Sequence, residues 1–267
     1  MIPGDDEVRV AIDGAVMTIT IDRPKANAID LPTSRKLGEA FVYFRDNPEL
    51  KVAVITGAGE RIFCAGWDLK ALDAGDTPLE NWWEAEDPDL GGFAGITEMW
   101  NLNKPVIAAL NGLTIGGGFE IALACDLIIA SENATFALPE PKVGLAALAG
   151  GLNRLPRQIG VKRALGMILT GRHVPAAEGY ELGFVNEVVA HDELMAAARR
   201  WAEQICECAP LSIRASKDVV YRSLDSASLA DSMAAQYDSV KAMVNSEDFV
   251  EGPKAFAEKR KPNWKGR

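Results

Sequence analysis

The chain has 267 residues, a net charge of −10, 48% hydrophobic and 25% charged residues. That length holds one large domain, or one with a small appendage, and the apolar content suffices for a sizeable core. The acidic balance argues against nucleic acid or an anionic membrane as the main partner. No apolar run approaches the about 20 residues of a membrane span, and the acidic N-terminus has no apolar leader core, so a cytoplasmic protein is expected.

Residues 8–13 and 16–21 alternate with period two around Gly14-Ala15, which predicts a β-hairpin. An irregular loop over 23–28 follows. Pro32-Thr33-Ser34 then opens a helix whose apolar positions Leu37, Ala40, Phe41 and Phe44 share one face. Residues 52–56 read as a short buried strand ending at Gly57. Between 72 and 98, Asp73, Asp76, Glu80, Glu84, Glu86, Asp87 and Asp89 alternate with Trp82-Trp83 and Gly91-Gly92, the texture of a mobile surface or lid segment. Residues 104–110 predict another buried strand with a turn at Asn111-Gly112, and 127–130 a further one. Beyond about residue 190 the pattern turns helical, over 194–205, 213–224 and 229–244. The whole reads as an α/β fold of repeated β–β–α-like units over 1–190, followed by a helical C-terminal subdomain over 191–267.

The most informative stretch is Gly116-Gly117-Gly118-Phe119-Glu120, three glycines entering an apolar segment that carries one carboxyl group. Backbone N–H groups lack partners in a first helical turn, the helix dipole adds positive potential there, and glycine lets a ligand oxygen approach. Such a place suits a developing oxyanion, with Glu120 one step from the reacting atoms. On this stretch alone the glycines could equally serve a turn, and the glutamate could be a dipole partner. A dinucleotide-binding fold fits less well, because the G-x-G-x-x-G spacing is missing.

Two further features need placing. Cys64, Cys125, Cys206 and Cys208 lack metal-ligand spacing, so free, mostly buried thiols and no metal site are expected. Residues 252–267 carry six basic residues against one acid, +5 on a chain whose remainder is −15. That tail suits a polyphosphorylated small ligand, or else a solvated or subunit-docked segment.

Arg23-Pro24-Lys25-Ala26-Asn27-Ala28, residues 63–70 (FCAGWDLK), 104–109, Gly116–Glu120 in the glycine stretch, Phe136-Ala137-Leu138-Pro139-Glu140, 150–155 (GGLNRL) and 255–260 (AFAEKR) occur in order. Together they resemble the enoyl-CoA hydratase/isomerase (crotonase) superfamily over nearly the whole chain. The resemblance implies a crotonase-like spiral of ββα units with a helical C-terminal part that serves trimerisation and coenzyme A contacts. It implies a homotrimer or a hexamer built as a dimer of trimers, with coenzyme A present as part of a thioester substrate and no prosthetic group. The implied reaction is reversible hydration of an α,β-unsaturated acyl-CoA. By motif position, the backbone N–H groups of Trp67 and Gly117 fall at the thioester oxygen, and Glu120 and Glu140 at the water and the proton. The two carboxyl groups need different protonation states, so their environments must push their pKa values apart; which takes which role stays open. Lys25, Ala65, Asp68 and Leu69 fall on the coenzyme A path, while Phe256 and Lys259 match residues that reach a neighbouring subunit's ligand.

Within the family, residues 23–30, 65–71, 91–95 and Trp264-Lys265-Gly266-Arg267 resemble the subgroup whose acyl group is crotonobetainyl. Ala147-Leu148 depart from it, standing where that subgroup carries Pro-Asp, which favours a more apolar acyl group. A general enoyl-CoA hydratase and a Δ3,Δ2-enoyl-CoA isomerase are the alternatives, the isomerase disfavoured because it needs only one principal proton shuttle. A non-catalytic RNA-binding relative of the same fold is a remote third, disfavoured by the acidic charge and the glutamate pair.

Overall fold

The computed structural model describes residues 3–73 and 90–267. Val8–Asp13 (β1) and Val16–Ile21 (β2) pair antiparallel from Val8↔Ile21 to Asp13↔Val16, as the alternation predicts. Leu31–Asp46 forms α1. Asp30 caps it by accepting the Thr33 N–H at 2.9 Å, satisfying one of the orphan donors of the first turn. Leu37, Ala40, Phe41 and Phe44 are fully buried on the predicted face.

The rest of the core is a repeated winding. Val52–Gly57 (β3) and Ile62–Cys64 (β4) are followed by the short helix Leu69–Asp73 (α2). Val106–Leu110 (β5) and Leu113–Ile115 (β6) lead into Gly117–Ala124 (α3). Leu127–Ser131 (β7) and Thr135–Ala137 (β8) lead into Gly151–Ile159 (α4) and Val161–Thr170 (α5). Val174–Pro175 (β9), Ala176–Leu182 (α6) and Glu187–Val189 (β10) complete it. Each turn of the winding gives one strand to each of two sheets, ordered β1-β2-β3-β5-β7-β10 and β4-β6-β8-β9. Apart from the antiparallel β1–β2 and β8–β9 pairs, the ladders are parallel. β3 and β5 are buried along their whole lengths, as strands covered on both faces must be.

Leu194–Cys206 (α7) closes one face of the larger sheet: Leu194, Ala197, Ala198 and Ala202 pack on Val52, Val54, Ile107 and Ile129. Pro210–Ser223 (α8), Leu229–Ala234 (α9), Asp238–Val244 (α10) and Glu247–Ala257 (α11) follow. The helix expected over 229–244 is therefore two. Ala235 turns to an extended conformation, and the Tyr237 hydroxyl, donating to the Ser232 carbonyl at 3.0 Å, holds the break. The stretch 72–98 also needs correction. Residues 74–89, including Trp82-Trp83, lie outside the described residues, but 91–97 pack on α1 rather than forming a lid. The Ala94 N–H donates to Ser34 Oγ at 2.9 Å, and a Cβ on Gly95 would fall 2.2 Å from the Gly38 Cα. Cys64 and Cys125 are buried, Cys206 is half-buried and Cys208 exposed, all as free thiols.

Lys104 ties the start of β5 to the end of α1. Its buried Nζ donates to the carbonyls of Phe44 at 2.8 Å and Asn47 at 2.5 Å and sits 5.3 Å over the Phe44 ring. Burial pulls its pKa down to about 8. Lys104→Met fills the space but removes the donor from both carbonyls, leaving Asn47 only the Leu50 N–H at 3.2 Å, so chemical denaturation is expected to show a loss of about 1–3 kcal/mol.

Candidate active site

The three glycines begin α3 for three separate reasons. Gly116, the N-cap, takes φ +55° and ψ −126°, a backbone conformation that side chains resist. A Cβ on Gly117 would fall 2.5 Å from the Phe93 ring, and one on Gly118 would fall 2.3 Å from the Cys64 carbonyl of β4. The helix start is thus pressed into the adjoining loop. In the first turn the N–H of Gly117 has no intrahelical acceptor.

The loop after β4 runs alongside. Ile29 and Trp67 form a parallel bridge in which the Ile29 N–H donates to the Gly66 carbonyl at 2.8 Å and the Asp68 N–H to the Ile29 carbonyl at 2.9 Å. Successive N–H groups of an extended segment alternate between its edges, so the Trp67 N–H lies on the edge away from Ile29. The backbones of the two segments nearly touch, for a Cβ on Gly66 would fall 2.8 Å from the Gly117 nitrogen. Arg23 clamps the loop to α1, donating at 2.7 Å each to Asp68 Oδ2 and to the cap residue Asp30. The other Asp68 oxygen accepts the Lys70 and Ala71 N–H groups. Its carboxylate is held well below the usual range, chiefly by the Arg23 hydrogen bond.

A cavity of about 420 Å³ opens here, with Ala65, Trp67, Leu69, Gly117, Glu120 and Glu140 among its walls. Glu120, one helical turn into α3, is only 4% exposed. Its Oε1 accepts the Gly151 N–H of α4 at 2.9 Å. Burial raises its pKa to about 7, with Glu140 adding to the rise and the Gly151 and Ala149 N–H groups and Arg154 opposing it. Glu140 opens a 3₁₀ turn, Glu140–Val143, after β8. Its Oε1 stands 3.0 Å from where a Gly116 Cβ would be, its Oε2 is buried without a hydrogen-bond partner among the described residues, and burial raises its pKa too. The charge of Glu140 thus disfavours ionisation of Glu120, on top of the larger effect of burial.

Other residues singled out in the sequence lie elsewhere in this one chain. Lys25 is exposed on the loop whose Ala26 carbonyl accepts the Ala65 N–H at 3.1 Å. Phe256, 87% exposed on α11, and the exposed Lys259 beyond it are not cavity walls. Ala147 is turned into the core, whereas Leu148, 51% exposed, does border the cavity. Among the wall residues not singled out from the sequence are Phe93, Glu98 and Lys142. Glu98 was lost among the many acids upstream, although the glycine-rich 91–95 beside it marked a constrained backbone.

A spiral of ββα turns whose loops bring two buried carboxyl groups against a glycine-led helix start is the frame of an acid–base enzyme. The enoyl-CoA hydratase/isomerase family model matches residues 11–267. A carnitinyl-CoA dehydratase of Proteus mirabilis is 50% identical, over 95% of this chain and 96% of its own. One of Escherichia coli O157:H7 is 48% identical, over 98% and 99%. The crystal structure of an enoyl-CoA hydratase from Mycobacterium tuberculosis superimposes with a TM-score of 0.88 at 38% identity, covering 98% of this chain and all of the other. The chain belongs to the enoyl-CoA hydratase/isomerase family.

The buried Glu120 also carries a stability cost of defined sign. Its carboxyl group holds a proton in the fold up to about pH 7, while the ordinary value is 4.5. The folded state therefore binds the extra proton between those values, and stability falls as pH rises through them, by on the order of 3 kcal/mol. Glu120→Gln keeps the shape without the charge. Thermal unfolding is expected to show stabilisation at about pH 8 and little change at about pH 4.

Proposed function

We propose that this enzyme is a hydro-lyase that reversibly adds water to an α,β-unsaturated acyl-CoA thioester. The observation that carries the reading is the pair of buried carboxyl groups on one cavity, beside closely apposed backbone segments. The thioester oxygen is received by the N–H groups of Trp67 and Gly117, which stabilise the negative charge it gains in the transition state. One carboxylate of the Glu120–Glu140 pair takes a proton from water as its oxygen bonds to the β-carbon. The partner, still protonated, delivers its proton to the α-carbon. One O–H bond of water and the π bond of the alkene break, one C–O and one C–H bond form, and the pair ends with one proton as it began. Burial that raises the pKa of both carboxyl groups, that of Glu120 to about 7, supports a site in which one of them still holds a proton to deliver. A simple isomerase needs one shuttle and leaves the second carboxyl group without a task.

For the acyl group we take the crotonobetainyl–carnitinyl pair, supported by the naming of the curated relatives at 48–50% identity. The second reading is a neutral enoyl group, favoured by Leu148 on the cavity wall. Coenzyme A then runs along Lys25, Ala65, Asp68 and Leu69, and residues 191–267 serve self-association into a trimer or a dimer of trimers. Exposed apolar side chains on the C-terminal helices, among them Leu229, Met233, Val250 and Phe256, support such an interface.

Glu120→Gln and Glu140→Gln are each expected to lower kcat about 10²–10⁴-fold while coenzyme A binding is kept. The wild-type pH profile should be bell-shaped, its alkaline limb reporting loss of the proton that the acid must deliver. Near-normal hydration by Glu140→Gln rejects the two-carboxylate mechanism.

Lys259 makes no ion pair among the described residues, whereas Arg260 is engaged by Glu251 and Glu258. Lys259→Ala is therefore expected to weaken binding of coenzyme A in the assembled oligomer, with a deficit that shrinks as salt rises. Calorimetric titration at two ionic strengths measures it, and an unchanged Kd removes Lys259 from the phosphate site.

A further inference from the structure

Hydration occupies two carboxyl groups, yet the cavity has a third. Glu98 lines it with Trp67 and Phe93, whose ring centroids are 5.4 Å apart. No hydrogen bond or ion pair engages the Glu98 carboxylate among the described residues, although the side chain is only half-exposed. Arg154 is close enough for their charges to interact. Its guanidinium is nevertheless committed elsewhere, donating to the Thr97 carbonyl at 2.7 Å and lying 5.5 Å over the Trp100 ring.

The position of Glu98 is built rather than incidental. Its N–H donates to the Gly91 carbonyl at 2.8 Å. Its carbon chain runs over Gly92, where a Cβ would fall 2.9 Å from both Cβ and Cγ of Glu98. Gly92 has φ +70° and ψ −153°, a region essentially reserved for glycine. The same loop is pinned to α1 at Ala94 and Gly95. Strained backbone conformations thus carry a carboxylate to a mostly apolar cavity wall, with no donor engaged among the described residues.

Resting on the hydro-lyase reading, we infer that Glu98 is the charge partner of a quaternary ammonium at the acyl end of the substrate, with the Trp67 and Phe93 rings beside it. A trimethylammonium group has no N–H to donate. It is recognised by Coulomb attraction and by aromatic faces rather than by hydrogen bonds. A carboxylate with no donor engaged among the described residues, on the same cavity wall as two rings, matches that chemistry. Leu148 on the same wall offers apolar contact to the N-methyl groups.

The test compares crotonobetainyl-CoA with the isostere in which a tert-butyl group replaces the trimethylammonium, so that charge alone differs. Wild type is expected to favour the charged thioester in kcat/KM by about tenfold or more, a preference that weakens as salt rises. Glu98→Gln and Glu98→Ala should each lower the charged-to-neutral ratio by about the same factor. A ratio that both variants leave unchanged overturns the inference. If neither variant folds, wild type decides by its binding of the saturated, unreactive pair of thioesters. Equal affinity for charged and neutral forms overturns the inference, and a salt-sensitive preference for the charged form upholds it. Crotonyl-CoA separates the two levels. Its hydration by wild type keeps the hydro-lyase reading even when the Glu98 ratio does not move. No turnover of any of the three thioesters ends that reading, and this inference with it.

Discussion

Everything at the site depends on a backbone-to-backbone contact, the loop after β4 lying against the first turn of α3. Gly66, Gly117 and Gly118 approach so closely that a Cβ at any of them would meet backbone or ring atoms within 3 Å. That approach is what brings the Gly117 nitrogen beside the loop that carries Trp67. The two sheets exist, in effect, to hold that approach. β4 and β6 are paired neighbours, so the loop leaving one and the helix leaving the other emerge together. The Arg23–Asp30–Asp68 cluster then fixes the loop to the N-terminus of α1.

The same arrangement sets its own cost. Glu120 is deep enough to titrate near neutrality because the packing that forms α3 also removes water from its carboxyl group. Two N–H groups and Arg154 relieve part of the penalty without cancelling it. Glu140 has less support, with one buried oxygen unpartnered. A carboxyl group in the setting of Glu120 weakens the fold and makes proton exchange near pH 7 accessible. That trade is common where stability gives way to chemistry.

The C-terminal segment shows how charge counted along a chain differs from charge in space. The +5 tail reads as a free basic arm, but much of it is docked. Asp248 accepts the N–H groups of Lys265 and Gly266 at 2.6 and 2.8 Å, Trp264 Nε1 donates to the Glu207 carbonyl at 2.7 Å, and Arg267 pairs with Glu247. The acids that balance the tail lie just upstream, in the first turns of α11. What is left without an ion pair among the described residues is a smaller set of lysines, Lys259 among them.

The sequence by itself determined the hairpin, α1 with its buried face, the long strands of the larger sheet and the glycine-led start of α3. Each is a local pattern in which periodicity and cap or turn residues agree. The smaller sheet was not legible, because β4, β6 and β8 have three residues each, too few to show a period. Nor was the break between α9 and α10, which a side-chain hydroxyl reaching back across the turn maintains. Glu120 and Glu140 could be picked out as motif residues, but their raised pKa values could not, since burial is a property of what packs around a residue. Glu98 is the clearest case. One acid among many in the chain, it becomes a cavity wall only because Gly38, Gly92 and Gly95 let two distant segments close upon each other, and such a contact exists only once the tertiary structure has formed.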